Sequence, residues 1–377
     1  MIKFLKGRPT HCRIDHAAVR WNLRQIKKTI GPRVKILSMV KANAYGHGAV
    51  EVARTLAKSG SDAFGVATVE EGIELRRAQI TQPILVLAGA YLGQVDQFLR
   101  NRLTPVIHEA ATLRALDQAL RARNAKLKIQ LEIDTGMGRI GFPTSEIDAW
   151  LPLVSQLKAL TVDGVFSHFS DAESANEKYT QRQLAQFHQV LRRLESTKIF
   201  PAAHHMAKSA ALVTIPASHL TMVRPGLILY GMYPAPQMKK QIALKPVLSW
   251  RTRIIQLKCS PARTYIGYGR TFVTKRNSLI ATLPVGYADG YRRLLSNHAV
   301  VLVRGKRAPL VGRVSIDLTT VDVTDIRKVQ QGDEVVLLGR QGAAEISADE
   351  MAAWAHTISY EIFTSIGARV PRTHINF

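Results

Sequence analysis

The 377-residue chain predicts an α/β fold, an N-terminal (β/α)8 TIM-type barrel followed by a mostly antiparallel β domain. Three observations carry this expectation. Eight apolar runs of strand character alternate with helical patterns between Val34 and Leu229. Residues Met232–Pro246 then break the rhythm with Pro234, Pro236, Lys239, Lys240 and Pro246. Beyond them the apolar runs are short and alternating, with tight turns between, as antiparallel strands require. The expected boundaries are a barrel over 1–232, a linker over 233–246 and a β domain over 247–377. Residues 1–10 are expected to pair with the second domain. A doubly wound open sheet is the alternative that pattern leaves, but no G-x-G-x-x-G sits in a strand-to-helix turn.

Taken in order, Arg8–Ile14 reads as a short strand, after which Asp15 can cap a helix over Ala17–Thr29 with Val19, Leu23 and Ile26 on one face. The eight barrel strands are expected at Val34–Lys41, Asp62–Thr68, Pro83–Gly89, Leu103–His108, Ala125–Thr135, Leu160–Ser170, Phe200–Ser209 and Leu220–Leu229. Helical patterns such as Val50–Ser59, Glu109–Asn124 and Thr180–Glu195 lie between them. In the second part, strands are expected at Leu248–Leu257, Leu279–Leu283, Val300–Val303, Leu318–Val323 and Val335–Gly339. Arg304-Gly305-Lys306 and Gln331-Gly332-Asp333 supply turns, and a helix over Ser347–His356 leads to the C-terminal segment.

Composition narrows the classes. A hydrophobic fraction of 46% and a charged fraction of 21% are those of a globular protein. No run approaches the roughly 20 apolar residues of a membrane span. The segment Met1–Pro9 has charge but no apolar core for a signal peptide, so a cytoplasmic location is expected. Cys12 and Cys259 stand far apart with no C-x-x-C or His cluster, which argues for free thiols and against a disulfide or zinc framework. The formal charge of +24 raises a nucleic-acid reading. The cations are scattered along helices (Arg76, Arg114, Arg121, Arg192 among them), so no specific nucleic-acid partner is expected.

The chemistry points first to Ile36-Leu37-Ser38-Met39-Val40-Lys41-Ala42-Asn43-Ala44-Tyr45-Gly46-His47-Gly48. A lysine at the mouth of a buried strand loses hydration, which lowers its pKa and frees its amine as a nucleophile. Such lysines form Schiff bases with carbonyl compounds. The bland reading, in which Lys41 only snorkels from a strand end into water, stands equally on spacing alone.

The run Val40–Gly48 resembles the pyridoxal-phosphate signature of the alanine racemases, and further matches recur in family order as far as Tyr360 and Arg369-Val370-Pro371-Arg372. The resemblance implies pyridoxal 5'-phosphate as cofactor, L- and D-alanine as substrates, D-alanine supply for peptidoglycan, and a homodimer with composite sites. It implies that Lys41 carries the cofactor and serves one face of the planar aldimine. Tyr268, in Ile266-Gly267-Tyr268-Gly269-Arg270-Thr271-Phe272, would be the base on the other face and would reach the partner's site. Tyr265 lies three residues earlier, and the Gly-x-Thr-Phe that follows selects Tyr268.

By the same resemblance, Tyr45, Ser209, Tyr360 and the backbone amides of Gly226 and Leu227 bind the phosphate. Arg224 faces the pyridine nitrogen, and His168 with Arg224 lowers the pKa of Tyr268. Arg139 and the backbone of Ile316 bind the substrate carboxylate, with Tyr287 and Asp317 in supporting places. No metal is implied. Ile316 stands where methionine is usual, and Ser315 where cysteine often stands. Glu132 occupies the place of a carbamylated lysine in many members, so it is expected to orient Arg139 without the modification. Lys208 replaces the usual asparagine, either favouring the phosphate or pointing to solvent. A broader-specificity racemase and a non-catalytic pyridoxal-phosphate-binding barrel protein are the alternatives. Fold-related decarboxylases place a carboxylate on the ring nitrogen, which Arg224 opposes.

Overall fold

The computed structural model describes residues 7–174 and 176–377, so residues 1–6, which the sequence joins to the β domain, lie outside it. The chain forms two compact units. One holds Ala18–Ala44 and Ala49–Lys245; the other holds the N-terminal segment to Ala17, Tyr45–Gly48 and Pro246–Phe377.

The first unit is a closed eight-stranded parallel barrel. Its strands are Lys35–Met39, Ala63–Val66, Ile84–Val86, Leu103–Ile107, Leu127–Asp134, Leu160–Ser167, Ala203–Lys208 and Met222–Arg224. Each pairs with the next, and Met222–Arg224 closes the ring on Lys35–Met39. Leu37, Ala63, Leu85, Val106, Phe166, Ala203 and Met222 fill the interior with contributions from seven of the eight strands. Helices between the strands form because their apolar residues recur on one face: Leu113, Leu116 and Leu120 of Ala110–Ala122 are buried, as are Leu184, Phe187, Val190, Leu191 and Leu194 of Lys178–Ser196. Asp117, also buried, accepts the amides of Lys158 (3.0 Å) and Ala159 (2.8 Å), which fixes where the strand Leu160–Ser167 begins.

The strands are shorter than expected at their active ends, and the reasons are local. The first stops at Met39, so Lys41 follows the strand instead of ending it. The last stops at Arg224, because Pro225 has no amide to donate; Leu227–Tyr230 continues as a 3₁₀ turn. Residues 233–246, expected as a linker, instead pack on the barrel as far as Lys245. Met238 and Ile242 are buried, and the Asn22 side chain donates to the Lys245 carbonyl (2.9 Å) and accepts its amide (2.8 Å).

The second unit is mostly antiparallel. A seven-stranded sheet runs Lys306–Pro309, Val300–Val303, Glu334–Gln341, Leu248–Arg253, His11–Asp15, Arg372–Ile375, with Ala344–Ile346 beside Glu334–Gln341. Among the described residues, only His11–Asp15 and Arg372–Ile375 pair in parallel within it. Gln256–Ser260, Ser278–Leu283 and Thr319–Asp322 make a second sheet, so the expected strand Leu248–Leu257 is two strands serving different sheets. The switch falls at Ile254 and Ile255, whose amides donate to Asp333 and Thr282. Trp250 sits edge-on to Tyr291 (centroids 5.6 Å apart) in this core. Asp15 does cap the helix His16–Ile30, accepting the Ala17 amide at 2.9 Å. Among the described residues no helix is long and apolar enough to cross a membrane.

Candidate active site

The barrel brings together Lys41, Glu132, Arg139, His168, Ser209, Arg224, Gly226 and Leu227, all at or just past the C-terminal ends of its strands. Arg224 is the organising group. It is buried, its Nη1 donates to the carbonyl of His205 (3.0 Å), and its Nη2 donates to that of Ser167 (2.6 Å). Its guanidinium lies over the ring of Phe166, 4.7 Å from the centroid. Burial first, with Arg139 adding to it and Glu132 opposing, lowers its pKa to about 10, so it remains a cation at neutral pH.

A guanidinium only donates, and that settles two imidazole tautomers. Nδ1 of His205, 2.6 Å from Arg224 Nη1, must accept; the proton sits on Nε2, which donates to Gln130 Oε1 at 2.7 Å. Nδ1 of His168, 3.3 Å from Arg224 Nη2, likewise accepts. Burial and the adjacent Arg224 charge hold His168 well below the usual histidine range. His168 is therefore neutral with an Nε2–H to offer. The positive charge of this pair is Arg224's alone.

Lys41 begins a tight turn, Lys41–Gly46, that coils with the opposite hand to an ordinary helix. Ala42, Asn43, Ala44 and Tyr45 all have φ between +52° and +53°. A left-handed conformation costs roughly 1–2 kcal/mol for each residue with a Cβ, so this turn stores on the order of 5 kcal/mol. Glu71 holds its start, accepting the Ala42 amide at 2.6 Å. Burial and then the positive charge of Arg139 lower the Lys41 pKa, with Glu71 the larger of two opposing carboxylates.

Glu132 is buried, and burial raises its pKa to about 7 against the pull of Arg224 and Arg139. Its carboxylate stands 4.0 Å from Arg139, whose side chain is otherwise open to solvent. Ser209 Oγ accepts the Gly226 amide at 2.9 Å, joining the ends of the seventh and eighth strands. Lys208 does not extend that site as a free cation; it pairs with Glu173 at 2.9 Å.

The remaining predicted residues lie in the β unit. Tyr45 and Tyr360 meet there with ring centroids 6.1 Å apart. Burial, then Tyr360, pushes the Tyr45 phenol above the ordinary tyrosine range, so it stays a neutral donor. Tyr268, Tyr287 and Ile316 are exposed, at 71%, 44% and 52%. Their segments are tied to one another. The amides of Tyr287 and Ala288 donate to the carbonyls of Ser315 and Ile316, both at 3.0 Å. Gly286 permits that approach, since a Cβ there would lie 2.3 Å from both carbonyl oxygens. Asp317 accepts from Arg369 at 2.6 Å.

Sequence reasoning missed His205, Gln130, Phe166 and Glu71. A signal existed for Gln130, which with Glu132 alternates against Ile129, Leu131 and Ile133 along one strand. His205 carried none, because its partners come from other strands.

A closed parallel barrel with a lysine, two arginines, a neutral histidine and a buried carboxylate at its strand ends belongs to the class of barrel enzymes that work at that face. Comparison with known proteins says which. The family models for the alanine racemase N-terminal and C-terminal domains match residues 14–234 and 247–374. An alanine racemase of Halothermothrix orenii is 44% identical over 369 residues, covering 98% of this chain and 97% of that protein. Alanine racemase 2 of Caldanaerobacter subterraneus subsp. tengcongensis is 42% identical, covering 98% and 95%. Among solved structures, the Bacillus anthracis alanine racemase with bound L-Ala-P superposes with a TM-score of 0.93 at 34% identity, over 99% of this chain and 96% of the other. The alanine racemase from E. faecalis gives 0.91 at 35%, over 98% of each. The chain belongs to the alanine racemase family. It is an isomerase whose activity is the racemisation of alanine.

Proposed function

We propose that the chain interconverts L- and D-alanine by two-base proton transfer with pyridoxal 5'-phosphate as cofactor, Lys41 and Tyr268 being the two bases. The observation that carries this is the Lys41 amine, held below its ordinary pKa at a barrel mouth beside the buried cation Arg224. An amine so placed gives up its proton to react with a carbonyl more readily than a solvated lysine does. The donors also suit the cofactor. The Ser209 hydroxyl, the amides of Gly226 and Leu227, the neutral phenol of Tyr45 and the Tyr360 hydroxyl fit a phosphate. Arg224, whose terminal nitrogens are occupied by protein acceptors, retains Nε for a ring nitrogen and keeps it unprotonated. When bound, pyridoxal phosphate supplies the electron-withdrawing ring that acidifies the substrate α-proton.

Around that chemistry each residue has a task. Lys41 takes or returns a proton at one face of the α-carbon through Nζ, and Tyr268 does so at the other through its hydroxyl. Arg224 fixes the His168 tautomer that leaves an Nε2–H to donate to the second base. Arg139, oriented by Glu132, and the Ile316 backbone bind the carboxylate, with Tyr287 and Asp317 shaping the approach. The β domain, 247–377, supplies Tyr268 to the partner of a homodimer. D-Alanine for peptidoglycan is the product in demand, and a cytoplasmic site of action fits the two free cysteines.

The test uses the purified protein with L-alanine and L-serine, following optical rotation. L-Alanine should racemise and L-serine should lag. Lys41→Ala should abolish both the activity and the adduct trapped by borohydride on the protein. A Lys41→Ala protein that still yields that adduct at the same peptide would overturn the assignment.

A further inference from the structure

We infer that Glu71 is a positioning residue for Lys41, its carboxylate fastening the left-handed turn Lys41–Gly46 to the mouth of the neighbouring strand. The inference rests on the role proposed above for Lys41. The first two barrel strands lie side by side, Met39 opposite Gly65, and the Val40 amide still donates to the Gly65 carbonyl at 2.9 Å. There the regular pairing ends. One residue later the chain must leave the strand and coil with the wrong hand.

Glu71 crosses between the two strand ends at that point. Its Oε1 accepts the Ala42 amide at 2.6 Å, and its Oε2 accepts the Ala67 amide at 2.7 Å. Glu71 is also the third residue of the helix Val69–Arg77, where it completes a capping box with Thr68. Capping alone does not account for the arrangement. The bond to the capped Thr68 amide is long, 3.3 Å, while the short bonds go to Ala67 and to Ala42, which lies outside that helix altogether. A charged acceptor shared by two amides is among the stronger hydrogen-bonding groups a fold can supply. Here it is spent on the residue next to the lysine. Farther along, the Asn43 side chain accepts the Ala49 amide at 2.8 Å and so holds the turn from its other side.

The cause of strain suggests the test. Glycine adopts a positive φ at no steric cost, so Ala42→Gly makes the left-handed turn easier and a clamp less necessary. Glu71→Gln keeps the shape but presents a donor to one of the two amides. Glu71→Asp keeps the charge but cannot span both. In each variant, with and without Ala42→Gly, kcat and KM for L-alanine are measured. The fraction of Lys41 carrying pyridoxal phosphate after borohydride trapping is read by peptide mass, and folding by thermal unfolding.

Glu71→Gln and Glu71→Asp should each lower kcat roughly 10- to 100-fold, as misplacement of a reacting group does, and slow the trapping on Lys41 in parallel. Combination with Ala42→Gly should shrink that loss at least about fivefold, the coupling expected of groups that act on one element. A variant with kcat within about twofold of the parent and normal trapping overturns the inference; so does a loss that Ala42→Gly leaves unchanged. If Glu71→Gln fails to fold, Glu71→Asp carries the same comparison. Failure of the Lys41 assignment is distinguishable, because Lys41→Ala would then remain active whatever Glu71 does.

Discussion

Glu132 shows how much one buried side chain decides. With its pKa raised to about 7, it is largely protonated below neutrality and ionised above it. Only the ionised form attracts Arg139 at full strength. The KM for alanine should therefore fall as pH rises through about 7, and Glu132→Gln should flatten that profile and raise KM on its alkaline side. Added bicarbonate should leave activity unchanged, since a carboxylate is already in place. The stability consequence has the opposite direction. The folded state keeps a proton on Glu132 that the unfolded chain releases from about 4.5 upward, so this contribution is complete below 4.5 and lost as pH rises toward 7. Urea unfolding at intervals across that window should show a smaller decline for Glu132→Gln than for the parent. Identical slopes and an unchanged KM would rule out the role.

At the scale of elements, the functional segments are irregular pieces braced by buried charge. The turn Tyr287–Asp289 is held by Asp289, fully buried, which accepts from Arg8 (2.6 Å), Arg369 (2.6 Å) and the Gly286 amide (3.0 Å). Burial alone would raise its pKa, but these three donors outweigh that and hold it below the usual carboxyl range. Its stabilising contribution is thus present at neutral pH and lost only in acid, as pH falls through that lowered value. Asp289→Asn leaves two arginines facing a weaker partner and should cost on the order of 3 kcal/mol, measurable as a lowered thermal midpoint. The same turn donates the Tyr287 and Ala288 amides to the Ser315 and Ile316 carbonyls, and Arg369 reaches Asp317, so KM for alanine should rise more than kcat falls. A variant with parental stability and kinetics would show that the arginines are adequately hydrated without it.

Across the whole molecule, large exposed apolar side chains gather in the β unit: Tyr265, Tyr268, Tyr287, Leu294, Ile316 and Leu318. The carbonyls of Ser315 and Ile316 accept the Tyr287 and Ala288 amides, and Ile266 and Gly267 pass so close to Gly312 and Arg313 that a Cβ on either glycine would crowd the other segment, which brings the Tyr268, Tyr287 and Ile316 segments together. The homodimer proposed above would have this surface available for burial. If Tyr268 serves the partner's site, each site needs two chains. Lys41→Ala and Tyr268→Phe dimers should each be nearly inactive, and mixing them should restore activity. With free exchange about half the dimers are mixed, each holding one intact site, so activity should approach about a quarter of the parent. Failure to recover despite demonstrated exchange would place Tyr268 in its own chain's site or outside catalysis.

The sequence by itself determined the alternation of strand and helix, the change to short antiparallel strands after residue 246, and the residues gathered at the barrel mouth. The first two are written in periodicity, and the third was implied by a resemblance that motifs such as Val40–Gly48 carry. Asp15 capping its helix belongs with them, because a cap depends on neighbours in the chain. The tertiary structure decided what depends on groups distant in sequence. The left-handed coil of Ala42–Tyr45 runs against the preference of its alanines and tyrosine, and Glu71, about thirty positions on, helps to hold it. His205 looked like any strand residue until Arg224 and Gln130 fixed its tautomer. Lys208 was open between phosphate and solvent until Glu173 took it. Even the neutrality of His168 comes from burial beside Arg224, since a pKa is set by the charges and the dielectric that folding assembles around a group.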